Sequence, residues 1–138
     1  MANAFILDHI IHADVKAAKA VFADLNQFSE HHPLFVKLEQ TGPDSFLVKE
    51  RMPFGPIKFS YKAQVINKPE SDEIVYIAHP FFIILTITFS FSAGEILNTS
   101  KLKEHIHIKG AGIFIFVLKS LIKKMHPKLI TSINSKLV

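Results

Sequence analysis

The sequence predicts one α+β domain in which an antiparallel sheet of about seven strands curves around a single long C-terminal helix, with two short helices after the first strand. Three observations predict this fold class. Apolar and polar residues alternate through short segments separated by turn residues, and the end of the chain carries an apolar stripe at helical spacing. A length of 138 residues is enough for one hydrophobic core. Neither a repeat nor a linker interrupts residues 1–138, so we expect one continuous domain.

The first elements follow from local signals. Residues 3–13 alternate as a strand. Asp14 is expected to cap a helix that runs to about Leu25, because an aspartate accepts hydrogen bonds from the free N–H groups of a first turn. A second short helix over residues 26–32 should stop at Pro33.

Six further strands are predicted between polar or Gly- and Pro-containing turns, over residues 34–40, 45–52, 57–65, 73–79, 82–91 and 101–109. The clearest alternation places one apolar set on the same face: Ile57, Phe59, Tyr61, Ala63 and Val65. Lysine, serine and glutamine occupy the positions between them. One face of the sheet is therefore expected to be buried and the other hydrated.

A long helix is predicted over residues 113–137. Its apolar side chains follow one helical stripe: Phe114, Val117, Leu118, Leu121, Met125, Leu129, Ile133 and Leu137. Pro127 lies inside this helix and is expected to kink it, because the proline ring removes a backbone donor and crowds the preceding turn.

Short patterns at three places connect this order of elements to a known superfamily. They are Ala13-Asp14-Val15 where the first strand meets the first helix, Val21-Phe22-Ala23-Asp24-Leu25 in that helix, and His32-Pro33 leading into Val36-Lys37-Leu38. The chain resembles the helix-grip fold of the START-like, Bet v 1-like (SRPBCC) superfamily. It is most similar to the small bacterial polyketide cyclase/dehydrase and lipid-transport branch. The glycine-rich loop of the plant branch is missing, since Thr41-Gly42-Pro43-Asp44 stands where it would lie.

The resemblance implies a cavity between sheet and helix for a hydrophobic small molecule such as a lipid, a sterol or a polyketide. A one-sided sheet covered by a single helix agrees with an apolar internal space. Candidates for the cavity wall are Phe46, Val48, Phe59, Tyr61, Ile83, Leu85, Ile87, Phe89, Leu102, Ile106, Phe114, Val117, Leu118 and Leu121. The alternative is that phenylalanine side chains fill the space completely, because protein interiors pack densely.

Alternate strand ends meet at one rim of the predicted sheet, which is the expected entrance to the cavity. The candidates there are His31, Phe54, His79, Phe81, Gly110 and Gly112. His31, His32 and His79 could converge on a metal ion, but adjacent histidines rarely ligate one ion and no metal-ligand spacing motif is present. We predict neither a metal nor a cofactor.

Two carboxylates and a histidine interrupt the apolar faces of the strands, namely Glu50, Glu104 and His9. The resembled fold implies that the first and last strands pair, which could bring His9 near Glu104. A carboxylate in an apolar cavity has a raised pKa and can act as a general acid or base with a histidine partner, as a cyclase or dehydratase requires. A salt bridge that stabilises the sheet is the simpler alternative. Binding or carriage of a hydrophobic molecule is therefore the main prediction, and an enzyme of that class is the alternative.

Charge is unevenly distributed along the chain. Residues 101–138 contain eight lysines against one acidic residue, whereas residues 1–100 contain eight basic and eleven acidic ones. Such a basic end predicts either a hydrated helix face or transient contact with an anionic membrane surface, and more weakly a protein-interaction module. Nucleic acid is not an expected partner, because the aromatic residues do not interleave with the basic ones.

Composition also limits the cellular compartments in which the protein is expected. Cysteine is absent, which excludes disulfides, thiolate catalysis and cysteine-ligated zinc. The N-terminal residues lack a basic stretch, and the longest apolar run, over residues 80–91, falls short of the ~20 residues that cross a bilayer. We therefore expect a cytoplasmic protein.

Overall fold

The computed structural model describes residues 2–52 and 56–137. Its elements are β1 (Ala2–Ile11), α1 (Val15–Ala23), α2 (Leu25–Glu30), β2 (Phe35–Gln40), β3 (Ser45–Arg51), β4 (Lys58–Lys68), β5 (Glu73–Ala78), β6 (Ile84–Ala93), β7 (Ser100–Lys109) and α3 (Gly112–Leu137). The seven strands form one antiparallel sheet. The predicted α+β helix-grip arrangement is confirmed.

The sheet is a meander whose first strand closes onto its last. The strand order is β1-β7-β6-β5-β4-β3-β2, so β1 lies at one edge beside β7 and β2 lies at the other. In the β1–β7 pair, Leu7 lies opposite Glu104 and His9 lies opposite Leu102. His9 and Glu104 are therefore diagonal neighbours on the same face, within reach of each other's side chains.

The concave face of the sheet is apolar because the strands alternate. In β7 every second residue is buried, and the buried set is Ser100, Leu102, Glu104, Ile106 and Ile108. The exposed residues between them are lysines and histidines. Burial of one face alone fixes the pairing register, since a slip of one residue would turn the isoleucines outward.

Aromatic packing holds α1 and α2 against the sheet. The ring of Phe22 lies 5.2 Å from that of Phe28, 5.0 Å from Phe89 and 5.3 Å from Phe91, measured between ring centroids. Tilted and edge-on aromatic pairs of this kind add about 0.5–1.5 kcal/mol each beyond the area they bury. Phe22 thus ties both short helices to β6.

The first helix is shorter than the sequence predicts. It ends at Ala23, and Asp24 caps α2 by accepting a hydrogen bond from the backbone N–H of Asn26 at 3.1 Å. Leu25, expected at the end of the first helix, is instead the first residue of α2. An aspartate competes with continued helix because its side chain satisfies the N–H groups of a new one.

A β-bulge changes which residues of β2 face inward. The pairing of β2 with β3 shifts register between Phe35 and Lys37. Simple alternation predicts that Val36 points inward, yet its side chain is exposed, and Phe35 is half-buried against the core. The extra residue of a bulge reverses the alternation on one side of it.

The long helix α3 is continuous through Pro127. Thr131 Oγ1 donates a hydrogen bond to the Pro127 carbonyl at 2.9 Å. The buried side of α3 consists of Ile115, Ile122, Met125, His126, Leu129, Ile130 and Ile133. In its first turns this differs from the predicted stripe, since Phe114 and Val117 are more exposed than Ile115. Residues 113–118 are all apolar, so spacing alone does not determine which side faces the sheet.

Candidate functional site

The concave sheet, α2 and α3 enclose a cavity of about 80 Å³. Its apolar wall consists of Leu25, Phe28, Leu34, Phe35, Val48, Phe59, Pro80, Phe81, Leu85, Ile87, Phe89, Leu118, Leu121, Ile122 and Met125. Six polar residues also line it: Ser29, His32, Glu50, Tyr61, Tyr76 and His126. An apolar wall with a few polar groups is the usual composition of a small-molecule site.

Three aromatic rings gather at the rim of this cavity. The centroid of Phe81 lies 4.6 Å from that of Phe59 and 6.4 Å from that of Phe114, and the Phe81 and Phe114 rings are parallel within 4°. Phe81 and Phe59 are half-buried, while Phe114 is exposed. The rings therefore stand between the cavity and solvent, at the mouth of the site.

The turn before β6 sets the direction of the ring at the mouth. Phe81 and Phe82 have φ angles of 50° and 60°, in the left-handed region that residues with a side chain seldom occupy. Each such residue costs about 1–3 kcal/mol and persists only where its surroundings hold it. Phe81 lines the cavity in this conformation, and Phe82 is 97% exposed.

Glu50 and His32 form the first polar contact in the cavity. Glu50 Oε1 lies 3.2 Å from His32 Nδ1, and the Leu34 N–H donates to that same nitrogen. Burial, with some help from nearby His126, lowers the pKa of His32 to about 3, so the imidazole is neutral at pH 7. Burial raises the pKa of Glu50, opposed by its hydrogen bond with Tyr61. Because the His32 imidazole is neutral, the pair is a buried carboxyl group beside a neutral imidazole and not an ion pair.

Two tyrosines extend this polar contact. The hydroxyls of Tyr61 and Tyr76 lie 3.2 Å apart, and Tyr61 also hydrogen-bonds Glu50. Burial raises the pKa of both phenols, which keeps both hydroxyls protonated. Together with Glu50 they offer O–H donors and acceptors to a polar group of a bound molecule.

A second polar cluster centres on Glu104, whose side chain is fully buried between β7 and α3. Its Oε2 lies 2.6 Å from His9 Nε2, and its Oε1 lies 2.6 Å from His126 Nδ1. Burial alone would raise the pKa of Glu104, but electrostatic attraction by His126 and hydrogen bonds from His126 and His9 hold it at about 2. Because an ionised carboxylate only accepts hydrogen bonds, both histidines must donate to it.

Comparison with known proteins agrees with this architecture. A START superfamily protein from Mycobacterium smegmatis superposes with a TM-score of 0.79 at 10% identity, over 98% of this chain and 99% of that one. An aromatase/cyclase from a Streptomyces species gives 0.75 at 11% identity, over 99% and 94%. Norcoclaurine synthase from Thalictrum flavum gives 0.70 at 14% identity, over 99% and 87%.

This chain has the START-like, Bet v 1-like fold. The resemblance inferred from the order of elements is confirmed at the level of the fold. No model of a protein family matches the sequence, and no curated protein matches it either.

Within this START-like fold, the three candidate catalytic residues fall into different places. Glu50 lines the cavity, whereas Glu104 and His9 lie behind it. His126 is the residue that joins the two sets, because it contacts Glu104 through Nδ1 and also lines the cavity. His126 was not among the residues expected in the site, although it follows Met125 of the apolar stripe directly.

The fourteen candidates for the cavity wall are also divided. Eight line the cavity: Val48, Phe59, Tyr61, Leu85, Ile87, Phe89, Leu118 and Leu121. Four others, Phe46, Ile83, Leu102 and Ile106, are buried in the core and do not line it. Phe114 stacks on Phe81 at the mouth, and Val117 is exposed on α3.

Among the candidates for the entrance, Phe81 lies at the mouth and His79 is exposed near it. His31 instead bonds Ser132 Oγ in the C-terminal half of α3, at 2.8 Å. The remaining candidates are two glycines and Phe54. Gly110 packs against Ile83 so closely that an added Cβ would come within 3.1 Å of it, and Gly112 begins α3. Phe54 lies outside the described residues.

Residues 2–52 and 56–137 contain no group of three histidine, cysteine or acidic side chains placed to hold a metal ion. No helix within the same residues is long and apolar enough to span a bilayer.

Proposed function

We propose that this protein binds or carries a hydrophobic small molecule, such as a lipid, a sterol or a polyketide-like compound, in the cavity between the sheet and α3, with residues 1–138 acting as one ligand-binding domain. The observation that carries the proposal is the lining itself: fifteen apolar residues and a few polar groups that contact one another. The apolar wall would bind the body of the ligand by the hydrophobic effect. The Glu50 carboxyl group and the two tyrosine hydroxyls would orient an oxygen of the ligand.

The size of the cavity implies that its mouth must open. A volume of about 80 Å³ is well below the ~300 Å³ of a typical ligand pocket. Phe59, Phe81 and Phe114 stand between it and solvent, and these rings are not fully buried. Rotation of these side chains would lengthen the cavity toward the rim, as a ligand of lipid size needs.

Solvent extraction and native mass spectrometry of the purified protein test this proposal, together with titration of N-phenyl-1-naphthylamine, an uncharged dye that fluoresces in apolar surroundings. We expect a co-purified apolar compound, or saturable dye binding with one dye per chain. A protein that carries no compound and leaves the dye dark at micromolar concentrations would contradict the proposal.

A second candidate function is an enzyme of the cyclase or dehydratase class. It is favoured by the contact between Glu50 and His32 inside an apolar cavity, because burial raises the pKa of the Glu50 carboxyl and a group of raised pKa is better suited to donate a proton to a bound oxygen. Similar folds include an aromatase/cyclase and norcoclaurine synthase, as their names state. Binding and catalysis would use the same cavity, so the dye experiment applies to both.

We also infer a transient contact between the mouth of the cavity and a membrane surface. Large apolar side chains are exposed around the mouth: Ile57 at 58%, Phe82 at 97%, Ile113 at 73% and Phe116 at 72%. The segments that carry them, residues 56–58, 79–84 and 109–119, contain three lysines and no acidic residue. The exposed apolar side chains would insert into an anionic bilayer while the lysines contact its head groups. The ligand would then pass directly from the bilayer into the cavity.

Vesicle flotation measures this contact. Wild-type protein is expected to float with vesicles of phosphatidylcholine and phosphatidylglycerol, and the Phe82→Ser/Phe116→Ser variant should lose most of that binding. Leu97→Ser is the matched control, because Leu97 is 87% exposed in the turn between β6 and β7, at the other end of those strands. Equal flotation of all three proteins, or none, would rule out this surface. So would a wild-type dimer that the double variant converts to a monomer without any vesicle binding.

A further inference from the structure

The hydrogen bond between Glu104 and His126 determines the tautomer of the His126 ring. His126 donates from Nδ1 to Glu104 Oε1, so in the neutral ring the proton is on Nδ1 and Nε2 carries the lone pair. The His126 ring lines the cavity, and its Nε2 has no hydrogen bond to any residue of the described ranges. The carboxylate thus selects the tautomer whose basic nitrogen is left for a bound molecule.

His9 completes the orientation of this group. Its Nε2 donates to the second oxygen of Glu104, so the carboxylate is held from both sides by donors 2.6 Å away. A carboxylate fixed in this way cannot rotate without breaking one of the two bonds. His9, on β1, and His126, on α3, therefore set the position of the imidazole between the sheet and the helix.

A carboxyl group lies in the same cavity as this imidazole. Glu50 lines the cavity together with His126, and its carboxyl contacts the neutral His32 and Tyr61. The two carboxyl groups have opposite surroundings. Glu50 lies in a mainly apolar cavity, whereas Glu104 lies between two histidine hydrogen-bond donors. Such a difference is the usual way in which a protein obtains a proton donor and a proton acceptor at the same pH.

We propose that His126 is a base for the bound ligand, that Glu104 and His9 are its positioning residues, that Glu50 is the matching acid, and that the ligand class is an apolar ketone with a C–H bond beside its carbonyl. This inference rests on the proposed binding of a hydrophobic molecule in the cavity. His126 Nε2 takes the proton from carbon, the C–H electron pair becomes the C=C bond of the enol, and Glu50 protonates the carbonyl oxygen. The reverse step restores the ketone, His126 and Glu50, so no other reactant is needed.

The test uses 2-tetralone, a small apolar ketone, in deuterated buffer. Exchange of the protons beside its carbonyl is followed by NMR, and its binding is measured by displacement of N-phenyl-1-naphthylamine. The wild type is expected to accelerate exchange, and His126→Asn should remove about 10²-fold of that acceleration or more, the usual contribution of a general base. Glu50→Gln should also slow exchange, because the amide cannot supply a proton to the carbonyl oxygen.

The positioning role of Glu104 is tested by a separate measurement, the tautomer of His126. Nitrogen-15 shifts of His126 should report the tautomer with hydrogen on Nδ1 in the wild type and a mixture of tautomers in Glu104→Gln, with slower exchange. His105→Asn, on the exposed face of β7 beside Glu104, is the matched control and should alter neither measurement. A folded His126→Asn variant with wild-type exchange would overturn the inference, and so would a wild type that binds the ketone without accelerating exchange. If neither dye nor ketone binds, the proposed binding function itself fails.

Discussion

Replacing Glu104 by glutamine is expected to lower the free energy of unfolding at pH 7 by roughly 3 kcal/mol. A pKa of about 2 in place of 4.5 corresponds to that much stabilisation of the ionised form by its two histidine partners. The glutamine keeps the shape of the side chain but removes the charge that both histidines contact. Urea denaturation at pH 7 measures the loss as a lower midpoint with an unchanged slope.

The contribution of Glu104 to the free energy of unfolding is expected to depend on pH. The folded state depresses the pKa of Glu104, so its stabilisation is complete above about pH 4.5 and is lost as the pH falls toward 2. His32 has a pKa of about 3 in place of 6.5 and is neutral in the folded state, so stability also falls as the pH drops from about 6.5 to 3. The Glu104→Gln variant should keep the second dependence and lose the first.

Glu39→Gln provides the control for charge removal. Glu39 is exposed on β2, and its substitution should change the free energy of unfolding by less than about 0.5 kcal/mol. A Glu104→Gln variant as stable as the wild type at pH 7 would mean that the two short hydrogen bonds do not stabilise the ionised carboxylate.

Filling the cavity is expected to have the largest effect on ligand binding. Val48 is 3% exposed on β3 and lines the cavity, so Val48→Phe would place a ring within about 80 Å³ of free space. We expect the Kd for N-phenyl-1-naphthylamine to rise about tenfold or more, which corresponds to at least ~1.4 kcal/mol of lost binding free energy. Fluorescence titration of the two proteins gives the comparison.

The neighbouring residue on the same strand is the matched control. Leu47 points to the opposite face of β3 and is 37% exposed, so Leu47→Phe adds a ring outside the cavity. It should leave the Kd within about twofold of the wild type. A Val48→Phe variant that folds and binds the dye as tightly as Leu47→Phe would show that the dye binds elsewhere.

Alternation and turn residues were sufficient to predict the strands of the sheet and the long helix. The β1–β7 pairing was expected from the fold that the chain resembles, and in the structure it places His9 beside Glu104. Single-residue irregularities were not predictable in this way. The bulge after Phe35 depends on how β2 meets β3, and nothing in the local pattern of apolar residues distinguishes it from regular strand.

The site was harder to predict than the fold because it depends on the rotation of α3. The first turns of that helix are apolar on all sides, so the sequence could not exclude Phe114 and Val117 from the cavity wall or select Ile122. His126 was missed for a related reason. The role of a histidine between Met125 and Pro127 can be recognised only when α3 is packed on the sheet, where this side chain contacts Glu104.

The most direct test of ligand binding between sheet and helix is a titration followed by methyl NMR. With N-phenyl-1-naphthylamine as the ligand, we predict that the methyl shifts of Val48, Leu85, Ile87 and Leu118 move with one binding curve, while those of Leu47 and Ile66 on the outer face stay fixed. Shifts confined to the exposed residues Ile57 and Ile113, or no shift in the cavity at saturating dye, would contradict a ligand site in this cavity.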